Sequence, residues 1–290
     1  MTGSGDALYV GYSGAAPAFY HRREDGQMPM QQGEVLKNFP QAMEQRQFQV
    51  YFQPQVDFTR REFVGAEALV RWIRPRAGML QPSAFVPCLE SGGLITQLDF
   101  YVWEEVCRFM QAWRADPQMP ALQSVSVNVS RCDIRDENFC ARLAAILERY
   151  GLPAGALHLE VTESACAQEG PKLLETCRQL REMGFVLEMD DFGSGYSSLN
   201  MLGELPFDVV KLDKGFVDRC TCGERGRLLL GGVIDMLRQL ELGMVAEGVE
   251  SRGQAEFLAA HGCPVQQGYY FSRPVPATAF CEMLRRPATG

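Results

Sequence analysis

Residues 184–198 read GFVLEMDDFGSGYSS, an apolar run that ends in two adjacent aspartates, Asp190 and Asp191, and a glycine-rich turn. The apolar run is typical of a buried strand. Two neighbouring carboxylates repel and raise each other's pKa unless a cation lies between them. Asp and Gly are also ordinary turn residues. Taken alone, the stretch predicts a strand and leaves both a metal site and a solvated turn open at its end.

The same pattern of a short apolar run with a polar end recurs along the chain. Eight candidate strands begin near residues 48, 62, 123, 156, 184, 207, 243 and 264. Helical patterns separate most of them, at 97–114, 137–150, 171–182, 225–241 and 252–261. Eight strands alternating with helices over about 250 residues predict an α/β fold, a TIM-like (β/α)8 barrel.

The connection between the first two strands departs from this rule. Residues 54–61, PQVDFTRR, are too few for the crossover helix that a parallel neighbour requires. We therefore expect an antiparallel first strand in the barrel.

Composition bounds the possible functions. The 290 residues are 46% hydrophobic and carry a net charge of −8, so a broad basic surface for DNA is not expected. No apolar run approaches the roughly 18 residues of a membrane span, and the N-terminus does not resemble a signal peptide. The ten cysteines are scattered without a CxxC pair, which favours reduced thiols and a cytoplasmic protein. Residues 1–33 lack a sustained period and are interpreted as a linker or the remnant of an upstream module, before a domain at 34–286.

Polar residues lie at the predicted C-terminal ends of the strands, where TIM barrels carry their chemistry. They are Glu67, Asn128, Glu160, Asp190, Asp191, Lys211, Asp213, Glu247 and Gln267. One such acid is usually a helix cap or a solvated rim group. Burying several together without a cation would cost several kcal/mol each. With three histidines in the chain and no clustered thiols, an all-oxygen ligand set is expected, which favours Mg²⁺ or Mn²⁺ over zinc.

Nine motifs in order resemble the EAL family of cyclic di-GMP phosphodiesterases. They are Gln53-Pro54, Glu67-Ala68-Leu69, LVRW (69–72), VNVS (127–130), LEVTES (159–164), DDFGSGYSSL (190–199), KLD (211–213), AEGVE (246–250) and QGYYFSRP (267–274). The resemblance covers roughly residues 34–285. It implies a barrel with an antiparallel first strand, as the short connection does. The departures are few, such as Ser194 in place of the family's usual Thr, and none falls on a matched ligand position.

The resemblance also implies an activity, the hydrolysis of cyclic di-GMP to linear pGpG by two divalent cations, Mg²⁺ or Mn²⁺, with Ca²⁺ inhibitory. The implied ligands are Glu67, Asn128, Glu160 and Asp190 for one cation, and Asp190, Asp191 and Glu247 for the other. The implied catalytic residues are Lys211, Glu67, Glu247, Asp213 and Glu163. The implied substrate contacts are Gln53, Arg71, Gln267 and Asp213. Lys211 would contact the attacking water as a base or as an electrostatic partner, and Glu163 would anchor the FGSGYSS loop.

Two alternative functions remain open beside the phosphodiesterase activity. Some family members are catalytically weak or inactive cyclic di-GMP receptors, which usually lack a ligand carboxylate; this chain lacks none that can be matched. A metal-dependent barrel of the aldolase or enolase type would need a different base and no DDFG…GYSS loop. The resemblance further implies a homodimer through the loop and helix at 192–204, and fusion to or regulation by an upstream sensory or GGDEF-type domain.

Strand parity gives one further expectation. His158 lies two residues before Glu160, and Glu188 lies two residues before Asp190, so each is expected to point into the barrel one layer below a ligand. An inward glutamate is costly to bury without a partner. We therefore predict a direct or water-mediated hydrogen bond between His158 and Glu188.

Overall fold

The computed structural model describes residues 31–75, 78–117, 119–120, 122–195 and 198–285. Almost all of the predicted linker at 1–33 lies outside the described residues, as do Tyr196 and Ser197 of the FGSGYSS loop. The first described helix begins at Gln32, two residues before the predicted start of the domain.

All eight predicted strands are present, with two short additional strands at 78–80 and 275–276. The strands are β1 (Phe48–Asp57), β2 (Glu62–Arg74), β3 (Gly78–Leu80), β4 (Ser124–Asn128), β5 (Leu157–Thr162), β6 (Val186–Phe192), β7 (Val209–Leu212), β8 (Gly243–Ala246), β9 (Val265–Gln266) and β10 (Val275–Pro276). The closed ring has the order β1-β2-β4-β5-β6-β7-β8-β9 and returns to β1. Strand β1 pairs antiparallel with both β2 and β9, while the other neighbours in the ring are parallel. The predicted α/β TIM-like barrel with an antiparallel first strand is confirmed.

Helices surround the barrel, and the five predicted ones are present within a few residues of their expected bounds, except for one start. The helices are α1 (Gln32–Glu44), α2 (Val86–Ser91), α3 (Ile95–Ala115), α4 (Arg131–Arg135), α5 (Phe139–Arg149), α6 (Glu163–Glu182), α7 (Ser198–Glu204), α8 (Lys214–Thr221), α9 (Glu224–Gln239), α10 (Arg252–Ala260) and α11 (Ala277–Leu284). Two 3₁₀ turns, Pro82–Ala84 and Ala154–Ala156, connect them to strands.

The exception is α6, which begins eight residues before the predicted start at 171. The segment from Glu163 joins the predicted helix across a kink at Gly170, whose φ is +39°. Pro171 follows this glycine, and a proline disfavours helical geometry in the residue before it. The backbone of Gly170 is not helical, so a helix does begin at the predicted break at 170–171, and a further helical segment that the sequence did not predict precedes it from Glu163.

Side chains alternate between two environments along each strand. In β4, Val125 and Val127 are fully buried in the apolar layer between sheet and helices, while Ser126 is buried on the opposite, inner face. The core therefore lies mainly outside the barrel strands, under the helices. The interior of the barrel is left for polar groups.

An aromatic cluster fixes the antiparallel β1–β2 hairpin onto the helices. Phe48 of β1 packs against Trp72 of β2, with ring centroids 5.1 Å apart, and both contact Phe85. Phe39 of α1 completes the cluster at 5.7 Å from Phe48. Since these rings are fully buried, they hold the hairpin that carries Glu67.

Among the described residues, no helix is both long enough and apolar enough to cross a lipid bilayer.

The segment after β9 packs closely against the backbone at Val249, and this packing can be tested at Gly268. A Cβ atom on Gly268 would lie 2.1 Å from the carbonyl oxygen of Val249, which is backbone and cannot rotate away. Gly268→Ala should therefore lower the free energy of unfolding by about 1–3 kcal/mol. Gly253→Ala is the matched control, because nothing lies within 4 Å of its Cβ position in α10. Urea denaturation should show the control at or slightly above wild-type stability. Equal midpoints for both variants would contradict the close approach.

Candidate active site

The site is organised around the buried ammonium of Lys211 at the end of β7. Its Nζ lies 2.6 Å from Glu160 Oε1 and 2.7 Å from Glu247 Oε1. It also lies 3.3 Å from Glu67 Oε2 and 3.4 Å from Asp190 Oδ1. Four different strands or strand ends thus bring four carboxylates to one lysine, as their positions at the C-terminal ends predict.

Charge and burial compete in this cluster. Burial disfavours the ammonium of Lys211, but the surrounding carboxylates outweigh it and raise its pKa well above the ordinary value. Burial also raises the pKa of Glu160 well above its usual range, with the nearby carboxylates adding to the rise. Burial, with Asp190 and Glu67, raises the pKa of Glu247 to about 8 despite Lys211. One ammonium therefore does not balance the carboxylates around it.

Asp190 and Asp191 reach the same site because β6 is irregular at this point. Strict alternation would send Asp191 to the opposite face of the strand. Instead the β6–β7 register shifts between Met189 and Phe192, and Asp191 has a φ of +60°. This is the left-handed region, which Asp tolerates better than most residues. Asp191 was expected just past the strand end; it lies within the strand, and the bulge re-aims it.

The carboxylates that remain fit a divalent cation. Asp190, Asp191 and Glu247 can each offer an oxygen within 4.8 Å of the others. Glu160 Oε2 is buried and accepts no hydrogen bond from the residues that the structure describes. Buried carboxylate oxygens in this state are suited to a hard cation such as Mg²⁺. Asn128 lines the same cavity and pairs in register with Glu160, so its side chain can join the set.

Two glutamines form a chain of hydrogen bonds that ends at the Glu67 carboxylate. Gln267 Nε2 donates to Glu67 Oε2 and, at 3.2 Å, to Gln53 Oε1. Gln53 Nε2 in turn donates to the carbonyl oxygen of Ser272 at 3.1 Å. All three side chains are buried. This chain of hydrogen bonds orients Glu67 across the antiparallel β1–β2 pair.

The remaining predicted site residues fall into different places. Arg71 lines the cavity, with its guanidinium 5.8 Å from the centre of the Tyr51 ring. Glu163 begins α6, and its Oε2 accepts the N–H of Gly195 at 3.2 Å, as expected for a loop anchor. Asp213 caps α8 by accepting the N–H of Phe216 at 2.9 Å, and it is not among the residues that line the cavity. A role for Asp213 in catalysis or substrate binding stays a prediction.

A cavity of about 1220 Å³ opens above the carboxylates. This volume exceeds the roughly 300–1,000 Å³ typical of pockets for small ligands and suits a larger, elongated molecule. Its walls carry basic and aromatic residues that the sequence analysis missed: Arg131, Lys214, Tyr269 and Arg273. Arg273 lies over the Tyr269 ring at 4.1 Å. Arg131 and Lys214 follow strand ends within a few residues, so strand-end position alone could have indicated them.

The predicted contact beneath the site is confirmed. His158 Nδ1 lies 2.6 Å from Glu188 Oε1, and the Glu188 side chain is 1% exposed. The two residues thus meet inside the barrel: His158 lies one layer below Glu160, while Glu188 is level with Glu160 in the strand register and one layer below Asp190.

The raised pKa of Glu247 gives a testable pH dependence. A carboxyl whose folded-state pKa is raised contributes stability that is lost as the pH rises from about 4.3, the usual glutamate value, through about 8. Cation binding requires the carboxylate and opposes this loss. The increase in thermal midpoint on adding Mg²⁺ should therefore grow between pH 6 and pH 9. Glu247→Gln should flatten that dependence, and equal increments at both pH values for the wild type would contradict it.

Comparison with known proteins agrees with this geometry. The chain is 33% identical over 287 residues to the bifunctional diguanylate cyclase/cyclic di-GMP phosphodiesterase MucR of Pseudomonas aeruginosa, covering 95% of this chain and 42% of MucR. It is 36% identical over 258 residues to the cyclic di-GMP phosphodiesterase NbdA of the same organism, covering 88% and 32%. It is 37% identical over 246 residues to the oxygen sensor protein DosP of Escherichia coli, covering 84% and 30%. The chain thus spans less than half the length of each.

Solved structures share the fold. A structure described as "PaMucR Phosphodiesterase, c-di-GMP complex" superposes with a TM-score of 0.79 at 35% identity, covering 85% of this chain and 99% of that one. The EAL enzyme Bd1971, in a form described as cAMP and cyclic-di-GMP bound, has a TM-score of 0.80 at 24% identity, covering 87% and 69%, and shows the fold alone. The model of the EAL domain matches residues 36–274. The chain belongs to the EAL domain family.

Proposed function

We propose that this chain is a cyclic di-GMP phosphodiesterase that opens its substrate to linear pGpG with the help of two divalent cations. The observation that carries the proposal is the set of four carboxylates that meet at Lys211, three of which, Glu67, Asp190 and Glu247, line a large cavity. The relationship to MucR and NbdA, whose names state this activity, supports the choice of substrate.

The ligands proposed for the cations follow from the donor set. Glu67, Asn128, Glu160 and Asp190 would hold one cation, and Asp190, Asp191 and Glu247 the other. Divalent cations bound there would lower the pKa of a water and neutralise charge on the phosphate oxygens. We propose Mg²⁺ or Mn²⁺ as the active ions and Ca²⁺ as an inhibitor, since Ca²⁺ prefers longer and looser coordination.

Protein groups would orient the substrate above these carboxylates. Arg71, Arg131 and Lys214 lie in the cavity wall and can contact phosphate oxygens through charge-assisted hydrogen bonds. Tyr51 and Tyr269 offer ring faces on which a purine can stack. Gln267 fixes the Glu67 carboxylate by donating to it. A net charge of −8 is compatible with an anionic substrate because the basic groups are local.

Lys211 is proposed to act as an electrostatic partner of the attacking water. The sequence left open whether it serves as a base. Four carboxylates surround its Nζ and favour the charged ammonium, which has no lone pair with which to accept a proton. Its contacts with Glu160 and Glu247 instead hold one hydrogen-bond donor at the centre of the site.

A receptor without turnover is the alternative. Loss of a ligand carboxylate would favour it, and every acidic position matched to the family ligands is acidic in this chain. The ten free cysteines suit a reducing compartment such as the cytoplasm. Because the relatives are more than twice as long as the matched region, an upstream sensory or GGDEF-type domain is proposed as the regulator.

Removal of one ligand tests the proposed reaction. Glu67→Gln keeps the shape of the side chain and removes its charge, so turnover of cyclic di-GMP at saturating Mg²⁺ should fall at least about a hundredfold. The matched control is Glu62→Gln, at the exposed start of the same strand, which should keep wild-type turnover. Products are identified as pGpG by chromatography. Wild-type turnover in excess chelator, or near-normal turnover by Glu67→Gln, would contradict the proposal.

The proposed homodimer forms through the loop and helix at 192–204, and we propose that α9 adds to the interface. Exposed apolar side chains on α9 support an interface, since Leu228 is 73% and Leu229 is 56% exposed. Sedimentation at micromolar concentration should show a dimer, and Leu228→Arg should shift it towards monomer. A wild-type protein that sediments only as a monomer would contradict the proposed dimer.

A further inference from the structure

We propose that His158 is a positioning residue, which holds the buried Glu188 carboxylate away from Glu160 and so leaves Glu160 in place for cation binding. This inference rests on the proposed function of the site. It concerns two residues that carry no role in the reaction described above.

The strand register places the carboxylates of Glu160 and Glu188 where they repel each other. Glu160 and Glu188 are directly paired on the parallel strands β5 and β6. Both side chains lie in the interior of the barrel, 0% and 1% exposed. Like charges at directly opposed positions of a sheet repel and are destabilising. Burial strengthens that repulsion, because little water remains to screen it.

His158 is placed to draw one of the two carboxylates aside. It pairs in register with Val186, one layer below the two glutamates, so its ring reaches Glu188 diagonally. The 2.6 Å contact is made by Nδ1, the ring nitrogen nearer the backbone. A short contact from below fixes the Glu188 carboxylate towards the imidazole and away from the level of the cation site.

Glu160 contacts Lys211 at the site, as expected if His158 holds Glu188 aside. Lys211 Nζ contacts Glu160 at 2.6 Å, and its contacts among the described residues include Glu67, Asp190 and Glu247 but not Glu188. Glu188 lies directly opposite Glu160 in the strand register. Glu188 is therefore near enough to disturb Glu160 and is held by a different partner.

The test is a set of substitutions read by Mn²⁺ binding and by the Mn²⁺ electron paramagnetic resonance spectrum. His158→Leu removes the contact and should weaken Mn²⁺ binding about tenfold with an altered spectrum, since Glu188 then displaces Glu160 by repulsion. His158→Asn places an amide nitrogen where Nδ1 was and should bind within about threefold of wild type. The double variant His158→Leu/Glu188→Leu removes the second carboxylate and should also recover binding to within about threefold.

A control separates this role from simple packing. Ser126→Ala removes a fully buried hydroxyl in register with His158 on the neighbouring strand, and it should change neither affinity nor spectrum. Thermal midpoints in chelator check that each variant is folded, and the double variant keeps the test decisive if His158→Leu does not fold.

The outcomes are distinguishable. Wild-type Mn²⁺ binding by His158→Leu, or no recovery in the double variant, would overturn this inference and leave the proposed function intact. Absence of Mn²⁺ binding by the wild-type protein would overturn the proposed function and this inference with it.

Discussion

The structure depends on an imbalance of buried charge. One ammonium, that of Lys211, is surrounded by four carboxylates in the mouth of the barrel. Desolvating so many like charges is unfavourable unless further positive charge enters. The raised pKa of Glu160 and of Glu247 is the direct sign of this imbalance. A fold that tolerates it must gain stability elsewhere, and the apolar layer between strands and helices is the source.

The barrel converts this imbalance into a defined geometry. Parallel strands end at one face, so the acidic residues at their ends converge although they are far apart in sequence. The antiparallel β1–β2 hairpin adds Glu67 from one side, and Gln53 and Gln267 tie it to the closing segment. The bulge at Asp191 adds a second carboxylate from a single strand. Each feature increases the density of oxygen donors at one end of the barrel.

Much of the fold and the site could be predicted from the sequence, because the pattern of apolar residues indicates the strands and the position of a polar residue along a strand indicates where its side chain lies. Apolar runs gave the eight strands, and the short connection at 54–61 gave the antiparallel one. Strand parity gave the contact between His158 and Glu188. The bulge at Asp191 could not be predicted, since Asp followed by glycines fits an ordinary turn equally well. The break at Gly170 and Pro171 was predicted at the right place, and only the helical segment that precedes it from Glu163 was missed. The capping role of Asp213 was missed because an aspartate just after a strand can either cap the following helix or serve as a site residue.

The most direct measurement is anomalous diffraction at the manganese edge from crystals of the wild-type protein grown with Mn²⁺. We expect two peaks at the mouth of the barrel, one contacted by Glu67 and Glu160 and the other by Asp191 and Glu247, with Asp190 contacting both. A structure at saturating Mn²⁺ with no peak among these carboxylates would contradict the proposal that this buried negative charge binds cations.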